Sequence, residues 1–166
     1  MYSIRDYSPR DFPAIYALDQ VCFPPGIAYS RRELRHMIQM RSAVTLLAET
    51  QDAAPAGTEA AGLAGFAIAE RAVQRGEIFG HLITIDVKPG LQRTGVGSAL
   101  LGALEQRMAM DGALRMRLEV AESNAAAQSF YRKSGYAPIG RIAKYYLESI
   151  DALLMEKSLA AKGGVD

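Results

Sequence analysis

The stretch that decides the fold is ITIDVKPGLQRTGVGSALL, which runs from Ile83 to Leu101. Its first half predicts a strand that ends at the Pro89-Gly90 turn, and its second half has helical spacing from Gly95 onward. The first-turn amides of a helix lack intrahelical partners and carry the positive end of its dipole. Because Gly95 and Gly97 place no side chains over those amides, the junction is suited to bind a pyrophosphate.

Other roles for this loop fit the residues less well. A P-loop would end in Gly-Lys-Ser/Thr, but here Gly97 is followed by Ser98 and Ala99. A dinucleotide fingerprint would have a third glycine where Leu100 stands, and would follow the first strand of its unit. Close helix packing alone would explain the glycines but not their occurrence with Gln92 at a strand-to-helix junction.

Working outward, apolar periodicity predicts six further strands and three further helices. The strands are expected at about 2–7, 42–49, 63–71, 77–87, 114–120, 136–147 and 152–158. The helices are expected at about 11–21, 30–41, 95–112 and 124–135. The order predicts one α/β (mixed α+β) domain over residues 1–160 and a tail over 161–166. The segment 50–62, rich in alanine and glycine, is expected to be a flexible connection between strands.

Composition excludes several classes of function. A net charge of +1 over 166 residues gives no general attraction to nucleic acid or anionic lipid, although the helix at Arg31–Arg41 is basic. The single cysteine, Cys22, and two histidines make a metal site improbable, and we expect none. The N-terminal residues are not a secretory signal and no apolar run approaches ~20 residues, so we expect a cytoplasmic protein without membrane contact.

A second stretch, LEVAESNAAAQSFYRKSGY, runs from Leu118 to Tyr136 and carries candidate acid–base residues. Strand alternation places Glu119 on the face opposite Leu118, where a carboxylate needs either a partner or a wet cleft. An ion pair with Arg117 is the structural alternative. Tyr131 lies on the following helix, and a tyrosine hydroxyl is a proton donor at neutral pH because the residue titrates near ~10. Ring packing against Phe130 is the alternative for this tyrosine.

Both stretches resemble a known family. The loop is similar to the acyl-CoA signature Q/R-x-x-G-x-G/A of the GNAT acetyltransferases. The second stretch resembles LEVR-x-SN-x-x-A-x-x-x-Y-x-x-x-GF of the RimI-type ribosomal-protein alanine N-acetyltransferases, with Ala121 in place of arginine and Tyr136 in place of phenylalanine. The resemblance implies a GNAT fold, with a central mixed sheet of about six to seven strands flanked by about four helices. It also implies acetyl transfer from acetyl-CoA to a primary amine.

The resemblance assigns roles to individual residues. It implies that Glu119 is the general base and Tyr131 the general acid. The residues that it implies bind the cofactor are Ile85, Asp86, Val87, Gln92, Arg93, Thr94, Gly95, Val96, Gly97, Ser98, Asn124 and Tyr131. In the family, the loop amides hold the pyrophosphate and the strand residues pair through their main chain with the pantetheine arm.

The acceptor is indicated by the C-terminal stretch GRIAKYYLESIDALLMEKSL. It resembles the family segment whose tyrosines line a peptide groove, which implies that Tyr145 and Tyr146 contact an N-terminal peptide. Phe23 and Tyr29 match part of a Phe-Pro-Trp-Ser sequence beside that groove, although this chain has no tryptophan. The alternatives are a small-molecule amine acceptor (polyamine, amino sugar or amino acid) and a catalytically silent acyl-CoA-binding domain. Nothing in the sequence specifies an oligomeric state.

Overall fold

The computed structural model describes residues 2–51 and 62–159. Within these ranges the strands are β1 (Tyr2–Asp6), β2 (Ala43–Thr50), β3 (Leu63–Gln74), β4 (Glu77–Val87), β5 (Arg115–Ala121), β6 (Ala137–Tyr146) and β7 (Ile150–Ser158). The helices are α1 (Phe12–Cys22), α2 (Arg31–Gln39), α3 (Val96–Met110) and α4 (Ala125–Lys133), with a 3-10 helix over Pro9–Asp11 before α1. The predicted order of elements and the mixed α/β class are confirmed.

The strands form a seven-stranded sheet in the order β1-β2-β3-β4-β5-β7-β6. β1 with β2, β2 with β3, β5 with β7 and β6 with β7 are antiparallel. β4 and β5 are parallel, as expected for strands joined by a crossover helix, here α3. Their register covers only Phe79–His81 on β4 and Arg115–Arg117 on β5.

The chain divides into two compact units, and the first comprises the described residues of Met1–Glu70 and Ile83–Leu104. Its core consists of large apolar side chains from α1, α2, β2 and β3. They are Phe12, Ile15, Leu18, Leu34, Leu47, Phe66 and Ile68. Burying one side chain of this size contributes about 1.5–3 kcal/mol, so this cluster anchors both helices to the sheet.

The second unit comprises the described residues of Arg71–Leu82 and Glu105–Asp166. On β5, Met116, Leu118 and Val120 are buried while the alternate residues are partly exposed. A Cβ atom at Gly80 would lie 2.5 Å from Met116 Sδ and 2.9 Å from Met108 Cγ, so α3 packs closely on β4 here only because residue 80 is glycine. The buried residues of β5 thus face α3, and its polar residues, Arg117 and Glu119 among them, lie on the other face.

Most element boundaries differ from the prediction by one to three residues, and three of the differences have a clear cause. Residues 9–11 form a 3-10 turn closed by a capping box between Ser8 and Asp11, and α1 begins only at Phe12. α2 ends at Gln39 because Met40 has extended backbone (ψ 133). β3 continues to Gln74, where Arg75 and Gly76 have positive φ values of 51 and 78 and form a two-residue hairpin turn to β4.

Several expectations are not tested by the fold. The connection at 52–61 and the tail at 161–166 lie outside the described residues. The single domain over 1–160 and the cytoplasmic location stay predictions. In the part of the chain that the structure covers, no helix is long and apolar enough to cross a membrane.

Candidate active site

The loop before α3 has the predicted strand-turn-helix geometry. Gln92 to Gly95 form a turn and α3 begins at Val96. Gly95 has φ 94, and a Cβ atom there would meet no atom within 4 Å, so the backbone conformation and not space requires the glycine. The first backbone hydrogen bond of the helix runs from Ala99 N to Gly95 O at 3.0 Å. The amides of Val96, Gly97 and Ser98 therefore precede the intrahelical bonds.

The side chains of this loop are exposed, and one of them holds the turn. Gln92, Arg93, Thr94 and Gly95 are exposed. The hydroxyl of Tyr2 donates to Thr94 Oγ1 at 2.8 Å, and Thr94 Oγ1 donates to Leu91 O, so the threonine side chain holds the turn. Successive amides at the positive end of a helix, together with the Arg93 guanidinium, fit a pyrophosphate.

The end of β4 carries the three residues that were expected to bind the pantetheine arm. Ile85 and Val87 are half-buried, whereas Asp86 points to the opposite face and is 1% exposed. The Cys22 thiol donates to Val87 O at 3.4 Å. Burial, with the nearby charges of Asp86 and Asp19, raises the pKa of Cys22 to about 12, so this thiol packs and is not a nucleophile at neutral pH.

In the second unit, Glu119 is paired with a histidine. His81 Nε2 lies 2.7 Å from Glu119 Oε2, and the ring N–H is the donor when the carboxylate is ionised. The His81 and Glu119 side chains are 25% and 17% exposed, so both are partly accessible to water. His81 was missed from the sequence, although alternation along β4 could have placed it on this face of the sheet.

The expected partner of Glu119 in the structural alternative was wrong, because the carboxylate contacts His81 and not Arg117. Arg117 Nε donates to Glu156 Oε2 at 2.7 Å, and the guanidinium carbon lies 4.6 Å from the centre of the Phe79 ring. Arg117 thus pairs with Glu156 on the neighbouring strand β7 and not with Glu119 on its own strand. Glu119 lies two residues beyond Arg117, the last β5 residue in register with β4.

The two tyrosines expected at the acceptor lie next to Glu119. The Tyr146 hydroxyl donates to the backbone oxygen of Glu119 at 3.3 Å, and the Tyr145 ring meets Tyr146 edge to face at 4.8 Å. Burial, followed by the charge of Glu119, raises the pKa of Tyr145. The β6–β7 register shifts between Ile142 and Tyr146, and such a bulge re-aims the side chains that follow it.

Tyr131 and Asn124 lie on α4. Asn124 caps the helix, with Oδ1 accepting from Ala127 N at 3.1 Å. The Tyr131 ring is 8% exposed and packs against the rings of Phe130 and Tyr136, with centroids at 5.1 and 5.9 Å. The expected ring packing is thus present, and it fixes the direction of the phenol without excluding a role for the hydroxyl. The assigned roles of Asn124 and Tyr131 stay predictions.

Phe23 and Tyr29 bracket the turn between α1 and α2 in the first unit. Phe23 N donates to Asp19 O at 3.1 Å and ends α1. Tyr29 N donates to Asp19 Oδ2 at 2.8 Å, while Gln20 Nε2 donates to Tyr29 O at 2.7 Å. Both aromatic residues are partly exposed. Their contact with an acceptor stays a prediction.

No metal centre accompanies these groups. Among residues 2–51 and 62–159, no cluster of three histidine, cysteine, aspartate or glutamate side chains is arranged to hold a metal ion.

Comparison with known proteins shows the family to which the chain belongs. Residues 12–136 match the model of the acetyltransferase (GNAT) family. The chain is 36% identical over 81 residues to an N-alpha-acetyltransferase of Sulfurisphaera tokodaii, over 48% of each protein, and it spans about half the length of the curated relatives it matches.

Two solved structures are similar over nearly the full length. The ribosomal-protein-S18-alanine N-acetyltransferase of Escherichia coli has a TM-score of 0.77 and 26% identity, covering 100% of this chain and 99% of that one. Arabidopsis thaliana NAA60, solved in complex with acetyl-CoA, has a TM-score of 0.82 at 15% identity, covering 95% and 98%, which shows the common fold.

Proposed function

We propose that this chain, which belongs to the GNAT family of acetyltransferases, transfers an acetyl group from acetyl-CoA to the N-terminal α-amine of a protein or peptide. The observation that carries the proposal is the surroundings of Glu119, where His81 contacts a partly buried carboxylate and the Tyr146 hydroxyl donates to the backbone oxygen of the same residue. The names of the relatives support the acceptor, since one is an N-alpha-acetyltransferase and another acts on a ribosomal-protein alanine.

The donor side is supported by the loop before α3. The amides of Val96, Gly97 and Ser98 would bind the pyrophosphate, with Arg93 adding a positive charge. Ile85 to Val87 would pair with the pantetheine arm as an added strand does. When bound, acetyl-CoA supplies an activated acetyl thioester.

The chemistry needs two proton movements, because the acceptor ammonium must lose a proton and the departing thiolate must gain one. Glu119 is the group that removes the first proton, directly or through water. The imidazole of His81, 2.7 Å from the carboxylate, holds it in place and can pass the proton onward. Tyr131 is the donor for the thiolate.

An α-amine suits this machinery better than a lysine side chain. A chain-terminal amine titrates at ~7.7–8.0 and leaves a useful neutral fraction at neutral pH, whereas lysine near ~10.4 leaves almost none. Tyr145 and Tyr146 add ring surface and hydroxyl groups that peptide backbones can use.

The test is thiol release from acetyl-CoA with a panel of amines. The panel pairs each free N-terminal peptide with the same peptide blocked at its N-terminus and carrying a lysine, and adds polyamines and amino sugars. We expect turnover only with the free α-amine. Turnover confined to polyamines or amino sugars would show that the acceptor is a small-molecule amine and not a peptide. Acetyl-CoA binding without any turnover would identify a silent acyl-CoA-binding domain.

A further inference from the structure

Two buried carboxyl groups lie in the first unit and take no part in the chemistry proposed above. Asp19, in the last turn of α1, is 0% exposed, and Asp86, near the end of β4, is 1% exposed. Aspartate is rarely buried to this degree unless its charge is compensated. Among the described residues, no lysine or arginine forms an ion pair with either one.

Each carboxyl has one oxygen with a donor and one without. Thr84 Oγ1 donates to Asp86 Oδ1 at 2.7 Å. Tyr29 N and Gln20 Nε2 donate to Asp19 Oδ2 at 2.8 and 3.3 Å. In contrast, no N–H or O–H within residues 2–51 and 62–159 reaches Asp19 Oδ1 or Asp86 Oδ2.

The two carboxyls lie close enough to influence each other, and each keeps one buried oxygen without a donor. Because ionised carboxylates have only acceptor atoms, a hydrogen bond between them requires that one of the two is protonated. Burial raises the pKa of both, and the charge of Asp19 adds to the rise at Asp86. The Cys22 thiol also lies near both carboxyls, and its raised pKa keeps it neutral in this setting.

We propose that Asp19 and Asp86 share one proton, and that this hydrogen bond positions the turn at residues 23–29 for acceptor binding. With that bond, hydrogen bonds connect Thr84 through Asp86 and Asp19 to the backbone of Tyr29. Gln20 Nε2 donates to Tyr29 O, so residues at the end of α1 bond both the N–H and the C=O of Tyr29. The acceptor role of the turn rests on the proposed function, whereas the shared proton does not.

Loss of the proton would place two negative charges in one buried site. Their repulsion displaces Asp19 from Asp86 and, with it, the backbone of Tyr29 that Asp19 holds. If only the protonated pair binds acceptor well, kcat/KM for the peptide falls about tenfold per pH unit above the pKa of the pair. Asp19 and Asp86 are thus positioning residues, which act through the turn and not on the reacting atoms.

The kinetic test is the pH profile of kcat/KM for the acceptor peptide in Asp19→Asn. The asparagine oxygen still accepts from Tyr29 N, and its amide supplies Asp86 with a donor that cannot be lost at high pH. We expect an alkaline fall in the wild-type protein and in the control Asp111→Asn, which changes an exposed aspartate, but not in Asp19→Asn. An unchanged alkaline fall in Asp19→Asn would overturn the positioning role.

A second measurement needs neither turnover nor a variant. Carbon-13 NMR of the aspartate carboxyls in the wild-type protein reports protonation directly. We expect two coupled carboxyls, one of which keeps its proton far above the ordinary value of ~3.9. If both carboxyls lose their protons near ~3.9, the shared proton is wrong whatever the enzyme acetylates. If the proton is found but no amine is acetylated, the proposed function fails and the pair stands.

Discussion

At the scale of single residues, the structure shows which side chains contact each candidate catalytic residue. Glu119 contacts His81 and not Arg117, which pairs with Glu156 of β7. Tyr131 is a packed tyrosine whose ring is held by Phe130 and Tyr136. Hydroxyl and carboxylate chemistry can therefore be tested by variants that keep each side chain's shape.

Replacing Glu119 by glutamine should remove the base and keep the volume of the side chain. We expect kcat/KM to fall by about 10²–10³-fold, most severely at low pH, where the acceptor is mainly ammonium. Steady-state thiol release measures the loss, and the affinity for acetyl-CoA should stay unchanged. Glu77→Gln, which changes a half-exposed glutamate paired with Arg115, is the control and should keep the wild-type rate. Equal rates for both variants would remove Glu119 from the mechanism.

Replacing Tyr131 by phenylalanine should keep the ring contacts and delete the proton donor. We expect thiol release to slow by about 10²-fold, with little change in acetyl-CoA binding. Rapid-mixing measurement of free thiol together with calorimetric titration of acetyl-CoA separates the two quantities. Tyr16→Phe, which retains the ring beneath Arg31, serves as the matched control. A Tyr131→Phe enzyme as fast as that control would show that another group protonates the thiolate.

At the scale of elements, the proposed donor site before α3 depends on the backbone of one glycine. Gly95 has φ 94 and directly precedes the first residues of the helix, whose amides would bind the pyrophosphate. Gly102, within α3, also leaves open space where a Cβ would be, but it has an ordinary helical backbone. The two glycines therefore provide a matched pair in which only the conformation differs.

Gly95→Ala should destabilise the protein and Gly102→Ala should stabilise it. A side chain at positive φ costs about 1–2 kcal/mol, whereas alanine in a helix interior gains about 0.5–1 kcal/mol over glycine. Urea unfolding of both variants measures the signs. Gly95→Ala should in addition weaken acetyl-CoA binding, because the amides before α3 are displaced. Binding equal to that of Gly102→Ala would show that the loop conformation does not serve the donor.

At the scale of the whole molecule, charges distant in sequence are paired within each unit. In the first unit, Arg5 donates to both oxygens of Asp11 at 2.8 Å and to Glu49 at 2.6 Å. In the second, Glu105 accepts from the Tyr136 hydroxyl and from Lys157, both at 2.9 Å. Such pairs make stability depend on pH, although the net charge is only +1.

The Arg5–Asp11 pair predicts a loss of stability in acid. Arg5 lowers the pKa of Asp11, so the folded state holds the ionised form more tightly than the unfolded state does. This contribution is present above the ordinary value of ~3.9 and is lost as pH falls through the depressed value. We expect Asp11→Asn to cost about 1–2 kcal/mol in the free energy of unfolding at neutral pH, and nothing below both pKa values.

Urea unfolding across that pH range measures the difference between wild type and variant. The exposed Asp111→Asn serves as control and should follow the wild-type curve at every pH. A difference between Asp11→Asn and wild type that does not shrink in acid would mean that Asp11 acts through packing and not through its charge.

The sequence by itself determined the elements, their order and the loop before α3, because helical and strand periods, caps and glycine backbones are local properties. Glu119 was also placed correctly on the polar face of β5 by alternation alone. Only the tertiary structure decided the contact of His81 with Glu119 and the burial of Asp19 and Asp86 in one unit. A side chain's partner depends on strand register and helix packing, which bring together residues that are distant in the chain. The conformation of the loop before α3 is thus a local property of the sequence, whereas the proposed proton chemistry depends on contacts that form only when the chain folds.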